Sequence, residues 1–154
     1  MKINFRVDKM KTAIIYVSSH HGNTKRIIDA MAEVRDIDLY KISQAQNADF
    51  SAYDAIGFAS GVYFHKLHKG IEKLASDIDL TGKKVFTIYT CGINYINYAR
   101  GIQKTIKSQN CEFIGGFSCR GYDTYGFFEK IGGIAKGHPN EKDLAKAQEF
   151  IKKI

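Results

Sequence analysis

Thr12-Ala-Ile-Ile-Tyr-Val17 runs straight into Ser18-Ser-His-His-Gly-Asn-Thr24, after which an amphipathic stretch begins. An apolar run, a loop of hydroxyls and glycine, and a helix start, in that order, present N–H groups and hydroxyls at the positive end of a helix. One anion can sit there. The loop has neither the Lys-[Ser/Thr] ending of a nucleoside-triphosphate loop nor a G-x-G-x-x-G. A phosphate monoester, with no second phosphate or metal to neutralise, suits it best. The plainer alternative is a helix cap with no ligand, but a cap needs one polar side chain. Here Ser18, Ser19, Asn23 and Thr24 cluster, and Gly22 permits close backbone approach. His20 and His21 have no Cys or carboxylate at ligand spacing, so they read as donors to a dianion rather than as metal ligands.

Outward from this junction, short β-branched or aromatic runs alternate with helical patterns. Ile27, Ile28, Met31 and Ala32 mark one face of a helix capped by Asn23 or Thr24. A brief strand is expected at Asp38–Ile42, then a short connection rich in Ala and Gln. Ala55–Ala59 reads as a buried strand, Lys84–Tyr89 as a fourth and Glu112–Phe117 as a fifth. Helical stripes fall between and after them at Ile71, Leu74 and Ala75, at Tyr98, Ile102 and Ile106, and at Leu144, Ala147, Ile151 and Ile154. The pattern predicts an α/β fold: a three-layer, doubly wound, five-stranded parallel sheet with right-handed crossovers. Ligands of such sheets lie beyond the carboxyl ends of the strands. The loops rich in Gly, His and Tyr all fall on that edge, at 18–24, 60–70, 90–97 and 118–137.

Ser60-Gly-Val-Tyr-Phe-His-Lys66 offers a mobile glycine backbone and two flat rings, Tyr63 and Phe64, either of which could stack on a ligand or cap the sheet as core. Thr90-Cys-Gly-Ile-Asn-Tyr95 repeats the combination of glycine, polar groups and an aromatic. Its alternative is a plain strand-to-helix turn. Cys91 reads as a small buried residue, not as a nucleophile. Gly116-Phe-Ser-Cys-Arg-Gly121 fails as a serine-hydrolase elbow because Arg120 stands where glycine is required. Asp123, the lone acid of note in these loops, reads as a turn residue. No catalytic residue and no metal ligand is assigned.

The 154 residues, 44% hydrophobic and 25% charged, suit one domain, expected over 11–154 behind an extension at 1–10. No apolar stretch approaches the roughly 20 residues of a membrane span. Nor does the mixed start resemble a secretion signal. Cys91, Cys111 and Cys119 form no C-x-x-C and read as reduced thiols, so a cytoplasmic location is expected. The net charge of +7 comes from lysines interleaved with acids, as in Glu141-Lys-Asp-Leu-Ala-Lys146, which points to a solvated surface and away from nucleic acid.

Taken together, these loops make the chain resemble the flavodoxins over Lys11 to Ile154. Ser19-His-His-Gly-Asn-Thr24 is similar to the family's Gly-Asn-Thr phosphate loop. Tyr53-Asp-Ala-Ile-Gly-Phe-Ala-Ser-Gly-Val-Tyr63 is similar to its third strand and first ring loop, and Thr90-Cys-Gly92 falls where its second ring loop begins. The resemblance implies strand order 2-1-3-4-5. It also implies non-covalent FMN. Ser18, Ser19, His20, His21, Gly22, Asn23 and Thr24 would bind the phosphate. Ser60, Gly61, Val62, Tyr63 and Phe64 would line one side of the flavin ring, and Cys91, Gly92, Asn94 and Tyr95 the other. The implied function is electron transfer between redox partners, with an FMN-dependent quinone or protoporphyrinogen-type oxidoreductase as the alternative. A flavin-free regulatory module of doubly wound form fits less well, because the first strand ends in Ser rather than Asp. Three departures stand out. Ile93 occupies a place that is often acidic, and Gly61 one that is proline in related quinone reductases. The chain is also basic where electron-carrier flavodoxins are strongly acidic. Acidic docking surfaces are therefore expected on its partners.

Overall fold

Five consecutive buried residues make β1 (Thr12–Tyr16), which can be buried throughout because both faces of a central parallel strand are covered. The structure, a computed structural model, describes residues 9–19 and 21–154. Most of the extension expected at 1–10, and His20, lie outside the described residues. Around β1 lie β2 (Ile37–Lys41) on one side and β3 (Ala55–Tyr63) on the other, followed by β5 (Lys84–Cys91) and β6 (Glu112–Arg120). All four pairings are parallel, with registers such as Ile14↔Leu39, Ile14↔Gly57, Gly61↔Thr90 and Cys91↔Arg120. The order β2-β1-β3-β5-β6 is 2-1-3-4-5 when the five parallel strands are counted along the chain.

Alternation along the strands divides the core in two. Ala13, Ile15, Ile56, Phe58 and Val85 pack with Ile71 and Leu74 of α3 (Lys69–Asp77) and Ile102 and Ile106 of α4 (Arg100–Lys107). Ile14, Tyr16, Phe86 and Ile88 pack with Ile27, Ile28 and Met31 of α1 (Asn23–Val34) and Ala147 and Ile151 of α6 (Glu141–Lys152). Two one-turn helices, α2 (Ile42–Ala45) and α5 (Phe127–Lys130), complete the set. Ala32 is only half-buried; Ala30 takes the place expected of it in the core. Tyr98 is buried although it precedes α4, and its hydroxyl donates to the Ile93 carbonyl at 2.9 Å.

The largest departure from the sequence reading is at 60–66. What reads as a loop continues β3 to Tyr63 and turns back as a two-residue strand, β4 (Lys66–Leu67), antiparallel to it through Val62↔Leu67 and Tyr63↔Lys66. Phe64 and His65 form the turn, with φ of 51° and 65°. A two-residue hairpin of this kind needs positive φ at both central positions, which Asn-Gly normally supplies. Bulky residues held there carry strain that the surrounding contacts must offset.

Candidate functional site

Helix α1 is held at its start by an unexpected residue. Gly22, at the N-cap position, is left-handed at φ 66°, and no side chain at that position accepts a hydrogen bond. Ser18 does so instead: its Oγ accepts the Lys25 N–H at 3.1 Å. The two residues expected to cap the helix are used elsewhere. Asn23 Nδ2 donates to the Tyr122 carbonyl at 2.8 Å, and the Thr24 hydroxyl pairs with that of Thr90 at 2.9 Å, both threonines buried. The side chains of Ser18, Asn23 and Thr24 therefore fix the loop. The groups left for an anion are first-turn backbone N–H groups, which a helix start leaves without intrahelical partners. Ser19, whose hydroxyl hydrogen-bonds that of Tyr63, ties the loop to the end of β3. His21 sits at φ 55°, its Nε2 3.0 Å from Thr124 Oγ1 and its ring 4.3 Å from that of Tyr122.

The other two loops close on this one. Ser60 is buried, donating to the Gly61 carbonyl at 2.6 Å and accepting the His68 N–H at 3.0 Å, so it braces the hairpin. Gly61, Val62 and Tyr63 are half-buried, and Tyr63 lies edge-on to His68. Phe64 is not sheet-end core: it is 79% exposed, with its ring 5.7 Å from that of Tyr125 across the edge. After β5, Cys91 and Gly92 are buried while Asn94 and Tyr95 are exposed, with Asn94 Nδ2 3.4 Å from Ser118 Oγ. Arg120 Nε donates to the Gly92 carbonyl and the Gly121 N–H to that of Cys91, each at 2.9 Å. Asp123 is the turn residue its position suggests, accepting the Tyr125 N–H at 2.8 Å. Two close approaches require glycine. A Cβ on Gly121 would lie 2.5 Å from Asn23 Nδ2, and one on Gly92 would lie 2.6 Å from Asp123 Oδ2.

Burial pushes the Cys91 thiol up to about 12, against the pull of Arg120, and burial likewise raises Cys119 to about 12. Such thiols carry little thiolate at neutral pH. Iodoacetamide at pH 8 should label the native protein first at half-buried Cys111, with Cys91 and Cys119 reacting only after denaturation. Peptide mass mapping checks this, and early labelling of Cys91 would contradict its burial.

The most distinctive property of this edge is apolar. The large hydrophobic side chains exposed among the described residues are Phe64, Ile93, Tyr95, Ile96, Tyr125, Phe127 and Ile131. All seven belong to the segments that follow β3, β5 and β6, Phe127 on the single turn α5, at the carboxyl end of the sheet. Isolated exposed apolar residues are ordinary, but their confinement to one edge sets it apart from the rest of the described surface. Ile93, Ile96 and Ile131 carried no such signal in the sequence, since a single isoleucine in a loop has no periodicity to read.

Comparison with known proteins agrees with this architecture. The family model of the flavodoxin domain matches residues 14–133. An uncharacterized protein of Methanocaldococcus jannaschii, MJ0298, is 42% identical over 147 residues, covering 94% of this chain and 98% of the relative. Among solved structures, flavodoxin 2 from Bacillus cereus superposes with a TM-score of 0.67 at 21% identity, covering 92% of this chain and 95% of that one. A flavodoxin from the domain Archaea gives 0.66 at 16% identity, covering 94% and 96%. A Fusobacterium nucleatum flavodoxin variant bound to flavin mononucleotide gives 0.61 at 18% identity, covering 95% and 98%.

Proposed function

This chain belongs to the flavodoxin domain family, and from that premise we propose that it holds FMN non-covalently and carries electrons between protein partners. The observation that carries the reading is the confinement of all seven exposed large apolar side chains to the edge where the loops meet the start of α1. A flavin needs such a place: donors for a phosphate at one end and flat apolar faces for a ring at the other. The residues present fit both needs. Backbone N–H groups at Gly22, Asn23 and Thr24 with the Ser19 hydroxyl and His20 and His21 would take the phosphate, and Ser18 would hold the loop that presents them. Ser60, Gly61, Val62, Tyr63 and Phe64 would line one side of the ring, and Cys91, Gly92, Asn94 and Tyr95 the other, Ser60 and Cys91 through backbone because their side chains are buried. Bound there, FMN supplies a centre that accepts and returns electrons singly or in pairs. Purified protein should be yellow and release FMN on denaturation; colourless protein that takes up no added FMN would end the proposal.

Lys66, Lys69 and Arg120 are exposed in or next to the ring loops in the sequence, against two acids, Asp123 and Glu129, in the last loop. One unit charge about 8 Å from the ring, at an effective dielectric of about 40, contributes roughly 1 kcal/mol, on the order of 40 mV for one electron. The second one-electron potential should therefore be less negative than in acidic flavodoxins. Lys66→Gln should lower it by about 40 mV at low salt. Spectroelectrochemistry checks both statements, and no shift in the variant would remove Lys66 from the account. The same charges favour acidic partners, whose electron-transfer rate should fall as ionic strength rises.

The Phe64–Tyr125 contact favours a second reading, an FMN-dependent oxidoreductase whose flat substrate lies against these rings. Turnover of a quinone or nicotinamide by the purified protein would support it. Reduction only through a partner reductase would support the carrier. Among the described residues no helix is long and apolar enough to cross a membrane.

A further inference from the structure

A cleft of about 490 Å³ opens between the start of α1 and the stretch 136–138, lined by His21, Asn23, Arg26, Tyr122, Lys136 and His138. Its walls are tied to each other. Asn23 donates to the Tyr122 carbonyl, the Tyr122 N–H donates to the His138 carbonyl at 3.0 Å, and the Tyr122 hydroxyl donates to the Gly132 carbonyl at 3.1 Å. Behind the cleft, Asp143 Oδ2 lies 2.7 Å from His138 Nδ1 and also accepts the Asn140 N–H, which fixes the imidazole and leaves Nε2 as its other polar atom. His21 is fixed in the same way by Thr124 and the Tyr122 ring.

The charge in this cleft is one-sided. Arg26 and Lys136 are exposed, and among the described residues neither enters an ion pair. No carboxylate lines the walls. Asp143 balances His138 from behind, and Arg26 and Lys136 are left to focus potential on a bound anion. A guanidinium, an ammonium and two imidazoles are the donors that phosphate oxygens take best. The cleft is open to solvent, and the Tyr122 and His21 rings offer flat faces for an organic group attached to the phosphate.

We propose that this cleft is a second phosphate site, taking a phosphate of a nucleotide other than the group held at the start of α1. Two sources share that chemistry. Because His21 and Asn23 border both places, the second phosphate can belong to the same molecule, as in a flavin carrying a diphosphate. It can also belong to a separate nucleotide. The inference rests on the FMN reading in calling this phosphate the second, while Arg26, Lys136 and His138 lie outside the residues that reading uses.

The test compares wild type with Arg26→Ala/Lys136→Ala, and with Lys136→Glu as a single exposed change. FMN and FAD affinities are read from quenching of flavin fluorescence. Inorganic pyrophosphate is titrated separately into FMN-saturated protein, or into flavin-free protein if no FMN binds, while backbone amide shifts are followed. If the phosphates are in one molecule, the double variant should bind FAD roughly tenfold more weakly, with FMN changed by less than about threefold. If they are in two, pyrophosphate should give saturable shifts at Arg26, Gly137 and His138 that both variants abolish. Equal effects on FMN and FAD together with no saturable shift at these amides would overturn the proposal. Loss of all flavin binding with the pyrophosphate response intact would overturn the FMN reading alone.

Discussion

Phe86→Ala should cost about 3–5 kcal/mol of folding stability. The side chain is fully buried in the face covered by α1 and α6, with its ring 6.1 Å from that of Phe150. It lies there because of Gly57 on the neighbouring strand, its register partner. A Cβ at Gly57 would stand 2.4 Å from Phe86 Cε2 and 2.6 Å from Cζ, inside any allowed contact. The ring therefore fills the space that the missing side chain leaves in the middle of the sheet. Gly57→Ala should itself cost about 1–3 kcal/mol by overpacking, since a central strand cannot move aside. Shortening the ring should relieve that clash, so Gly57→Ala/Phe86→Leu should cost less than the two single changes added together. Urea melts of the four proteins measure this. Additive costs would show that Gly57 is not making room for the ring. Domains of this size are stable by only about 5–15 kcal/mol, so Phe86→Ala should also be visible as low soluble yield.

The pair illustrates why the sheet was readable in advance and parts of its edge were not. Ile14 and Phe86 lie in runs whose period and composition report burial directly, so the strands, their parallel arrangement and the two covered faces follow from local pattern. The hairpin at 60–67 does not, because Phe64-His65 carries none of the Asn-Gly chemistry that announces a two-residue turn. Its shape is imposed by contacts far along the chain, such as Phe64 on Tyr125 and His65 stacked 6.4 Å from Tyr98. The same holds at α1. A cap is usually sought at the residue before the helix, but here the accepting oxygen belongs to Ser18, seven residues before its donor Lys25.

Partners distant in sequence explain the rest. The cluster Ser18, Ser19, Asn23 and Thr24 reads as a row of donors for one anion, and the loop does sit at a helix start. Asn23 and Thr24 are nonetheless bound to Tyr122 and Thr90, 99 and 66 positions away. No local motif announces such pairings. The segment after β6 is also irregular, held by the Asp123↔Ile134 bridge and the single turn α5, so neither helical nor strand periodicity applies to it. By contrast, the start of α6 is held by a local pairing. Asn140 and Asp143 form a capping box at the spacing the sequence displays, with the Asp143 N–H 3.0 Å from Asn140 Oδ1.

Riboflavin should bind on the order of 10³-fold more weakly than FMN, because the start of α1 has nothing to grip when the phosphate is gone. Two or three charge-assisted hydrogen bonds from backbone N–H groups and the Ser19 hydroxyl account for a difference of that size. The ring loops alone would bind both flavins equally. Fluorescence quenching with the two ligands separates the cases, and equal affinities would show that 18–24 plays no part in binding. Gly121 sharpens the test. A side chain there would strike Asn23 at Nδ2, Cγ and Cβ, at 2.5, 2.7 and 2.9 Å, so rotation of the amide cannot clear it. Gly121→Val should break the hydrogen bond to Tyr122 and shift the first turn of α1, leaving the ring loops in place. FMN affinity should then fall towards that of riboflavin, while riboflavin affinity changes little. If both fall together, Gly121 supports the whole edge and not the phosphate end of it.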